Sequence, residues 1–243
     1  MCRHLAFVSS TPLALGEPLV DSPHSLVEQA RAPKHQTSGD SNPDGWGVGW
    51  FDDAGRVQRY RSALPVWDDP AVGELAASVV TTAALAAVRL ASPGATITES
   101  GSAPFTDGEW LFSLNGIVDG YYDGVGDELR SLTSPARLAA VDGDADTEVL
   151  FALTLDALEA GAAPTDALLE VVRLVEERTT GRLNLLLTDG RIVAGTAWGN
   201  SLYRGGVYVA SEPLDDAADW RRVPDRSAVV VDAHGAPSEV EIA

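Results

Sequence analysis

The only cysteine in the 243-residue chain stands at position 2, in "MCRHLAFVSS". A small second residue permits removal of the initiator methionine, and Cys2 then carries a thiol and a free α-amine on one residue. Such an amine titrates near about 7.7–8.0, close to the pH at which a general base works best, so it can take the thiol proton directly or through one water. The pairing of a threonine nucleophile with its own terminal amine follows the same logic. The alternative is a small buried hydrophobe at the start of a strand. Acyl transfer also needs donors preset for the developing oxyanion. "SLNG" offers the side-chain amide of Asn115 and the backbone N–H of Gly116, placed by local propensity on a turn after a buried strand, although Asn-Gly is equally a common hairpin turn. Arg89 is the only charged residue from Thr81 to Ala91, and a guanidinium in so apolar a run needs a partner. A bidentate substrate carboxylate would serve, and so would an internal ion pair. Asp146 opens an apolar helical run, where a carboxylate can cap the helix, bind a substrate ammonium, or do both.

These residues need elements to carry them. "CRHLAFVSS" reads as a strand with Cys2 at its tip, residues 24–31 as a short helix, and "KHQTSGDSNPDG" (34–45) as a long surface loop. "WGVGWF", "DDAG" and "RVQRYRS" read as a hairpin. "TTAALAAVRLAS" (81–92) is ambiguous, since its alanines favour helix and its β-branched residues favour strand. "EWLFSLNGIV" (109–118) reads as a buried strand running into the Asn-Gly turn. Two amphipathic helices follow, the first capped by Asp146 and ended by Gly161, the second capped by Thr165 and ended by Gly181. "RLNLLLTDG", "RIVAGTAW", "GVYVAS", "SAVVVDAHG" and "SEVEIA" close the chain as strands. Strands, then helices, then strands imply an α+β architecture of stacked layers rather than an alternating parallel fold.

The 17 Lys and Arg against 36 Asp and Glu give a formal net charge of −19 at pH 7, a field that repels nucleic acid and anionic lipid. Hydrophobic residues make up 45%, enough for a sizeable core and against acidic disorder. No linker of distinct composition divides the chain, so one domain over residues 1–243 is expected. One cysteine forms no internal disulfide, and no Cys/His cluster suggests zinc, which fits a reducing, cytoplasmic setting. No signal-like start and no membrane-length apolar run is present.

As an ordered set, "MCRHLAF", "NPDGWGVGWF", "AAVRLAS", "SAPFTDGEWLFSLNG", "DADTEVL", "RLNLLLTDG" and "VASEPLDD" resemble the class II glutamine amidotransferase type of N-terminal nucleophile hydrolase. The resemblance runs from Cys2 to about Asp216. Within that superfamily the set is similar to the stand-alone γ-glutamyl hercynylcysteine sulfoxide hydrolases of ergothioneine biosynthesis. It implies a four-layer αββα sandwich, with Cys2 as nucleophile and its amine as base. It further implies an oxyanion hole of Asn115 and Gly116, with Arg89 on the glutamyl α-carboxylate and Asp146 on the α-ammonium. The implied substrate is a small γ-glutamyl compound, and no cofactor, metal, nucleic acid or membrane is called for. The resemblance also places "SNPDGWG" beside the nucleophile, with Asn42, Asp44 and Trp46 as candidate contacts. Leu114 stands where many relatives have histidine. An aromatic face would suit the leaving group's trimethylammonium, with Trp67, Trp110 and Trp198 as candidates that could equally be core. A glutaminase subunit passing ammonia to a synthase, a general γ-glutamyl peptidase and an inactive binding module are the rival readings.

Overall fold

The computed structural model describes residues 2–92, 94–234 and 237–241. Its strands, in chain order, are β1 (Arg3–Ala14), β2 (Trp46–Phe51), β3 (Val57–Ser62), β4 (Val80–Val88), β5 (Phe105–Thr106), β6 (Leu111–Val118) and β7 (Gly181–Thr188). They continue as β8 (Ile192–Ala197), β9 (Tyr203–Gly205), β10 (Tyr208–Ala210), β11 (Arg221–Arg222), β12 (Ser227–Asp232) and β13 (Pro237–Glu241). The helices are α1 (Leu26–Arg31), α2 (Ala71–Ser78), α3 (Val125–Leu132), α4 (Pro135–Leu138), α5 (Asp146–Glu159) and α6 (Pro164–Glu176).

One sheet has the order β11-β9-β10-β1-β4-β2-β3 and the other β13-β12-β8-β7-β6-β5, and the pairings within both are antiparallel. Three apolar clusters separate four layers. Leu5, Phe7, Val48, Ala84, Ala86 and Val88 face the side of the first sheet covered by α1 and α2. Ala6, Val8, Ala83, Leu85, Leu111, Leu186 and Val193 fill the space between the sheets. Phe112, Leu114, Leu150, Leu153, Leu168 and Val172 pack the second sheet against α5 and α6. This is the αββα sandwich that the motif set implies. No helix among the described residues is long and apolar enough to cross a membrane.

The ambiguous alanine-rich run is β4. Its even-numbered residues from Ala84 to Val88 face the helices, while Ala83 and Leu85 face the other sheet. A strand buried on both faces has no polar alternation to display. The β2–β3 hairpin stands where expected: Asp52 Oδ1 accepts from the N–H groups of Ala54 and Arg56, both at 2.9 Å, and Gly55 takes φ +74°.

Four local expectations are corrected. Asn115 and Gly116 do not form a turn: they lie inside β6, in register with Asn184 and Leu183 of β7. The glycine answers to a close approach of backbones, since a Cβ at position 116 would come within 1.7 Å of the Arg182 carbonyl oxygen. The cap of α5 is Ala145, one residue before Asp146. The cap of α6 is Ala163 rather than Thr165, because Pro164, with no N–H to satisfy, suits the first helical position. Gly161 follows α5 at φ +94°, as a helix-ending glycine should. Gly181 instead opens β7, since α6 already stops at Glu176.

Candidate active site

The register of the first sheet brings the ends of distant segments together. Arg3 of β1 pairs with Val88 of β4, which sets Cys2, just ahead of β1, beside Arg89, just past β4. The Cys2 thiol points at the Leu90 carbonyl oxygen, 3.9 Å away, and is partly buried. From the second sheet, β6 brings Leu114 and Gly116, and the start of α5 brings Ala145, Asp146 and Thr147. One pocket of about 370 Å³, partly open to solvent, is lined by Cys2, Arg89, Gly116 and Asp146 together with Leu90 and Tyr122. A larger cleft of about 720 Å³ opens at the sheet edges beside Arg59, Arg61 and Phe105. It contains none of the candidate residues, so chemistry and not size locates the site.

Arg89 forms no ion pair among the described residues, and the internal-partner alternative is therefore not what the structure shows. Its Nη1 donates to the Thr96 carbonyl at 3.1 Å. Gly101 leaves it room: a Cβ there would meet Nη1 at 3.1 Å. The Asp146 carboxylate accepts from Val118 N–H at 3.2 Å through Oδ2 and from Thr147 N–H at 2.8 Å through Oδ1. Burial raises its pKa above the ordinary carboxylate value, opposed by those N–H groups and by the charge of Arg89. The pocket thus holds a cation and an anion that do not form an ion pair with each other.

Asn115 sits one step behind the wall. Its side chain is wholly buried, Nδ2 donates to Ser211 Oγ at 3.1 Å, and Oδ1 has no partner. One of the two amide hydrogens is thereby used, and no second acceptor for Nδ2 is found among the described residues.

The "SNPDGWG" contacts are corrected, because none of the three side chains lines the pocket. Trp46 turns to the outer face of β2, into the helix-facing core, and donates Nε1–H to Asp69 at 3.0 Å. Asn42 is buried and donates to Gln36 Oε1 at 3.1 Å. Asp44 accepts from Ala91 N–H at 2.8 Å, while Asp44 N–H and Arg89 C=O are joined at 2.9 Å. The loop is stitched to the segment after β4 and holds Arg89 in place. The tryptophan candidates also lie elsewhere: Trp67 packs against the core beneath α1 and α2, and Trp110 and Trp198 against that beneath α5 and α6. Tyr122, unremarked in the sequence, is the aromatic residue in the pocket wall. Leu114 is buried in the helix–sheet core with an edge on the pocket.

Sequence reasoning also missed the layer beneath Cys2. Arg3 is fully buried and paired with Glu212 at 3.2 Å, and its Nε donates to the Cys2 carbonyl at 2.7 Å. Burial lowers the Arg3 pKa, and Glu212 works against that. His4 is buried with Nδ1 2.8 Å from Ser113 Oγ. Burial, reinforced by Arg3, pushes its pKa down to about 3. Buried between the sheets, absent from the pocket wall and so weakly basic, this imidazole is no candidate base. Arg3 in "MCRHLAF" and Glu212 in "VASEPLDD" stand far apart in the sequence, and nothing local to either names the other.

The family model for class-II glutamine amidotransferases matches residues 20–203, a span that includes Arg89, Asn115, Gly116 and Asp146. The chain is 40% identical over 239 residues to the gamma-glutamyl-hercynylcysteine sulfoxide hydrolase of Mycolicibacterium smegmatis, covering 96% of this chain and 97% of that protein. The protein of the same name from Mycobacterium tuberculosis is 38% identical over 244 residues, covering 97% of this chain and 94% of the relative. Among solved structures, a glutamine aminotransferase class-II domain protein from Silicibacter pomeroyi superposes with a TM-score of 0.70 over all of both chains, at 22% identity. That last likeness is one of fold.

Proposed function

The chain belongs to the class-II glutamine amidotransferase family, and from that premise we propose that it hydrolyses γ-glutamyl amide bonds through Cys2, acting as one unit over residues 1–243. The proposed substrate is γ-glutamyl-hercynylcysteine sulfoxide, for which both mycobacterial relatives are named. The observation that carries this is the pocket itself: Cys2 and Gly116 share one small space with Arg89 and Asp146, whose opposite charges have no ionic partners among the described residues. An amino-acid head presents a carboxylate and an ammonium on one carbon, and so matches both.

In the proposed reaction Arg89 and Asp146 hold the glutamyl head. The Cys2 thiol gives its proton to the α-amine freed by loss of Met1, and its sulfur attacks the γ-carbonyl carbon. Met1 lies outside the described residues, so this base rests on the chemistry of an amino-terminal cysteine. The oxyanion is met by the free amide hydrogen of Asn115 and by Gly116 N–H. Collapse breaks the C–N bond, and the ammonium returns its proton to the leaving nitrogen. Water, deprotonated by the same amine, adds to the thioester; the second tetrahedral intermediate expels Cys2 sulfur, which takes the proton back from the ammonium, and glutamate is released.

Incubation of the purified chain with a panel of γ-glutamyl amides, with the released amine identified by mass, tests the substrate. The sulfoxide is expected to be turned over with the highest kcat/KM. Cys2→Ala should lose hydrolysis to background with its melting temperature retained. Turnover near wild type in that variant would remove Cys2 from the reaction.

A further inference from the structure

Two consecutive residues after β10 reach both halves of the site from behind. Ser211 N–H donates to the His4 carbonyl at 2.9 Å, continuing the β1–β10 ladder by one rung. Its hydroxyl oxygen accepts from His4 N–H at 3.0 Å and from Asn115 Nδ2 at 3.1 Å. Glu212 takes the Arg3 guanidinium and also accepts from the N–H groups of Lys34 at 2.8 Å and His35 at 3.0 Å, at the start of the loop beside the pocket. Neither residue lines the pocket, and both are buried.

A buried ion pair contributes little net stability compared with apolar residues of the same volume, because desolvation offsets the attraction. What this one supplies is geometry. Cys2 precedes the first paired residue of β1, so the ladder holds it from one side, and Arg3 Nε on its carbonyl supplies a second hold. Errors of about 1 Å in the placement of reacting groups cost about a hundredfold in rate.

We propose that Ser211 and Glu212 form one positioning unit: Ser211 orients the Asn115 amide, and Glu212, through Arg3, fixes Cys2 and offsets the guanidinium charge behind its thiol. This rests on Cys2 being the nucleophile. Besides the α-amine of Cys2 itself, the charged and titratable groups around the thiol are Arg89, Asp146 and Tyr122 in the pocket, Asp44 on the adjoining loop, and Arg3 with Glu212 beneath. His4, with its pKa near 3, stays neutral over the working range.

Cys2 is the only thiol, so the pH dependence of its alkylation by iodoacetamide, followed by intact mass, reports its surroundings without any turnover. Glu212→Gln leaves Arg3 uncompensated and should move half-maximal alkylation to lower pH by about one unit. Glu212→Asp, which keeps the charge, should restore it. The double variant Arg3→Gln/Glu212→Gln should return the midpoint to within a few tenths of wild type and still lower kcat about ten- to a hundredfold with KM within twofold. Ser211→Ala should leave alkylation unmoved and lower kcat by a similar factor at unchanged KM. A folded Glu212→Gln chain with an unshifted midpoint would overturn the role of Glu212. If that variant does not fold, a double variant with wild-type kcat does so instead. Ser211→Ala with wild-type kcat would overturn the role of Ser211. Hydrolysis surviving in Cys2→Ala would count against the functional reading alone, since the alkylation shift is read independently of it.

Discussion

Arg3, the first residue of β1, and Arg89, just past the end of β4, stand at the same end of the first sheet, both next to Cys2, and they are held in opposite states. Arg3 is wholly buried, ion-paired to Glu212, and bonded to the Cys2 carbonyl. Arg89 is half-buried in the pocket wall, with a main-chain carbonyl as its hydrogen-bond acceptor and no carboxylate partner among the described residues. The difference separates scaffold from site. A guanidinium that is wholly buried and matched in charge by a carboxylate is out of a ligand's reach, whereas one at the pocket wall kept in place by a main-chain contact retains the fork that a carboxylate fits.

That contrast breaks first on stability. Arg3→Met should destabilise the fold by about 3–5 kcal/mol, because it leaves the Glu212 carboxylate buried without its cation. Arg89→Met should change stability by about 0.5 kcal/mol or less, as expected where no pair is lost. Denaturant melts of the two variants check both, and Arg3→Met/Glu212→Met should recover most of the loss. Equal melting behaviour for the two single variants would show that the buried pair is not what distinguishes them.

Activity should depend on Arg89 where stability does not. On the proposed reading Arg89 grips the substrate carboxylate with a planar fork that a lysine ammonium cannot reproduce. Arg89→Lys should therefore lower kcat/KM by about 30- to 100-fold, about 2–3 kcal/mol, with the melt unchanged. Initial rates against substrate concentration would check it, and an unaltered kcat/KM would refute the clamp.

How far the sequence carried depended on whether a signal was local. The β2–β3 hairpin was legible because Asp52 and Gly55 encode the turn where it occurs. For β4 the composition hid the element, since burial on both faces removes the alternation that marks a strand. Asn115-Gly116 misled for a related reason. The pair has turn propensity, but its glycine is required by the Arg182 carbonyl of the next strand, and nothing near position 116 reports that contact. Asp146 was placed at the correct helix end and one residue from its cap, the usual uncertainty at helix ends. The pocket's charges were legible as anomalies of type, an arginine in an apolar run and an acid at a helix start. The Arg3–Glu212 pair was not, because its members are 209 residues apart and each alone reads as an ordinary surface charge.

The space between the sheets, next to the pocket, supplies the smallest test of the same distinction. His4 follows Arg3, and its imidazole is held neutral in the core with a pKa near 3, against about 6.5 for an unperturbed histidine. Between these values the unfolded chain binds a proton that the folded chain refuses, so this residue's contribution to stability is complete above about pH 6.5 and is lost as the pH falls. From pH 6.5 to pH 5 the loss comes to about 2 kcal/mol. His4→Gln, which does not titrate, should remove that part of the acid sensitivity and flatten the plot of unfolding free energy against pH over this window. An unchanged slope would mean that protonation of His4 is tolerated in the folded state, and that the layer behind the nucleophile accepts charge as readily as the pocket in front of it.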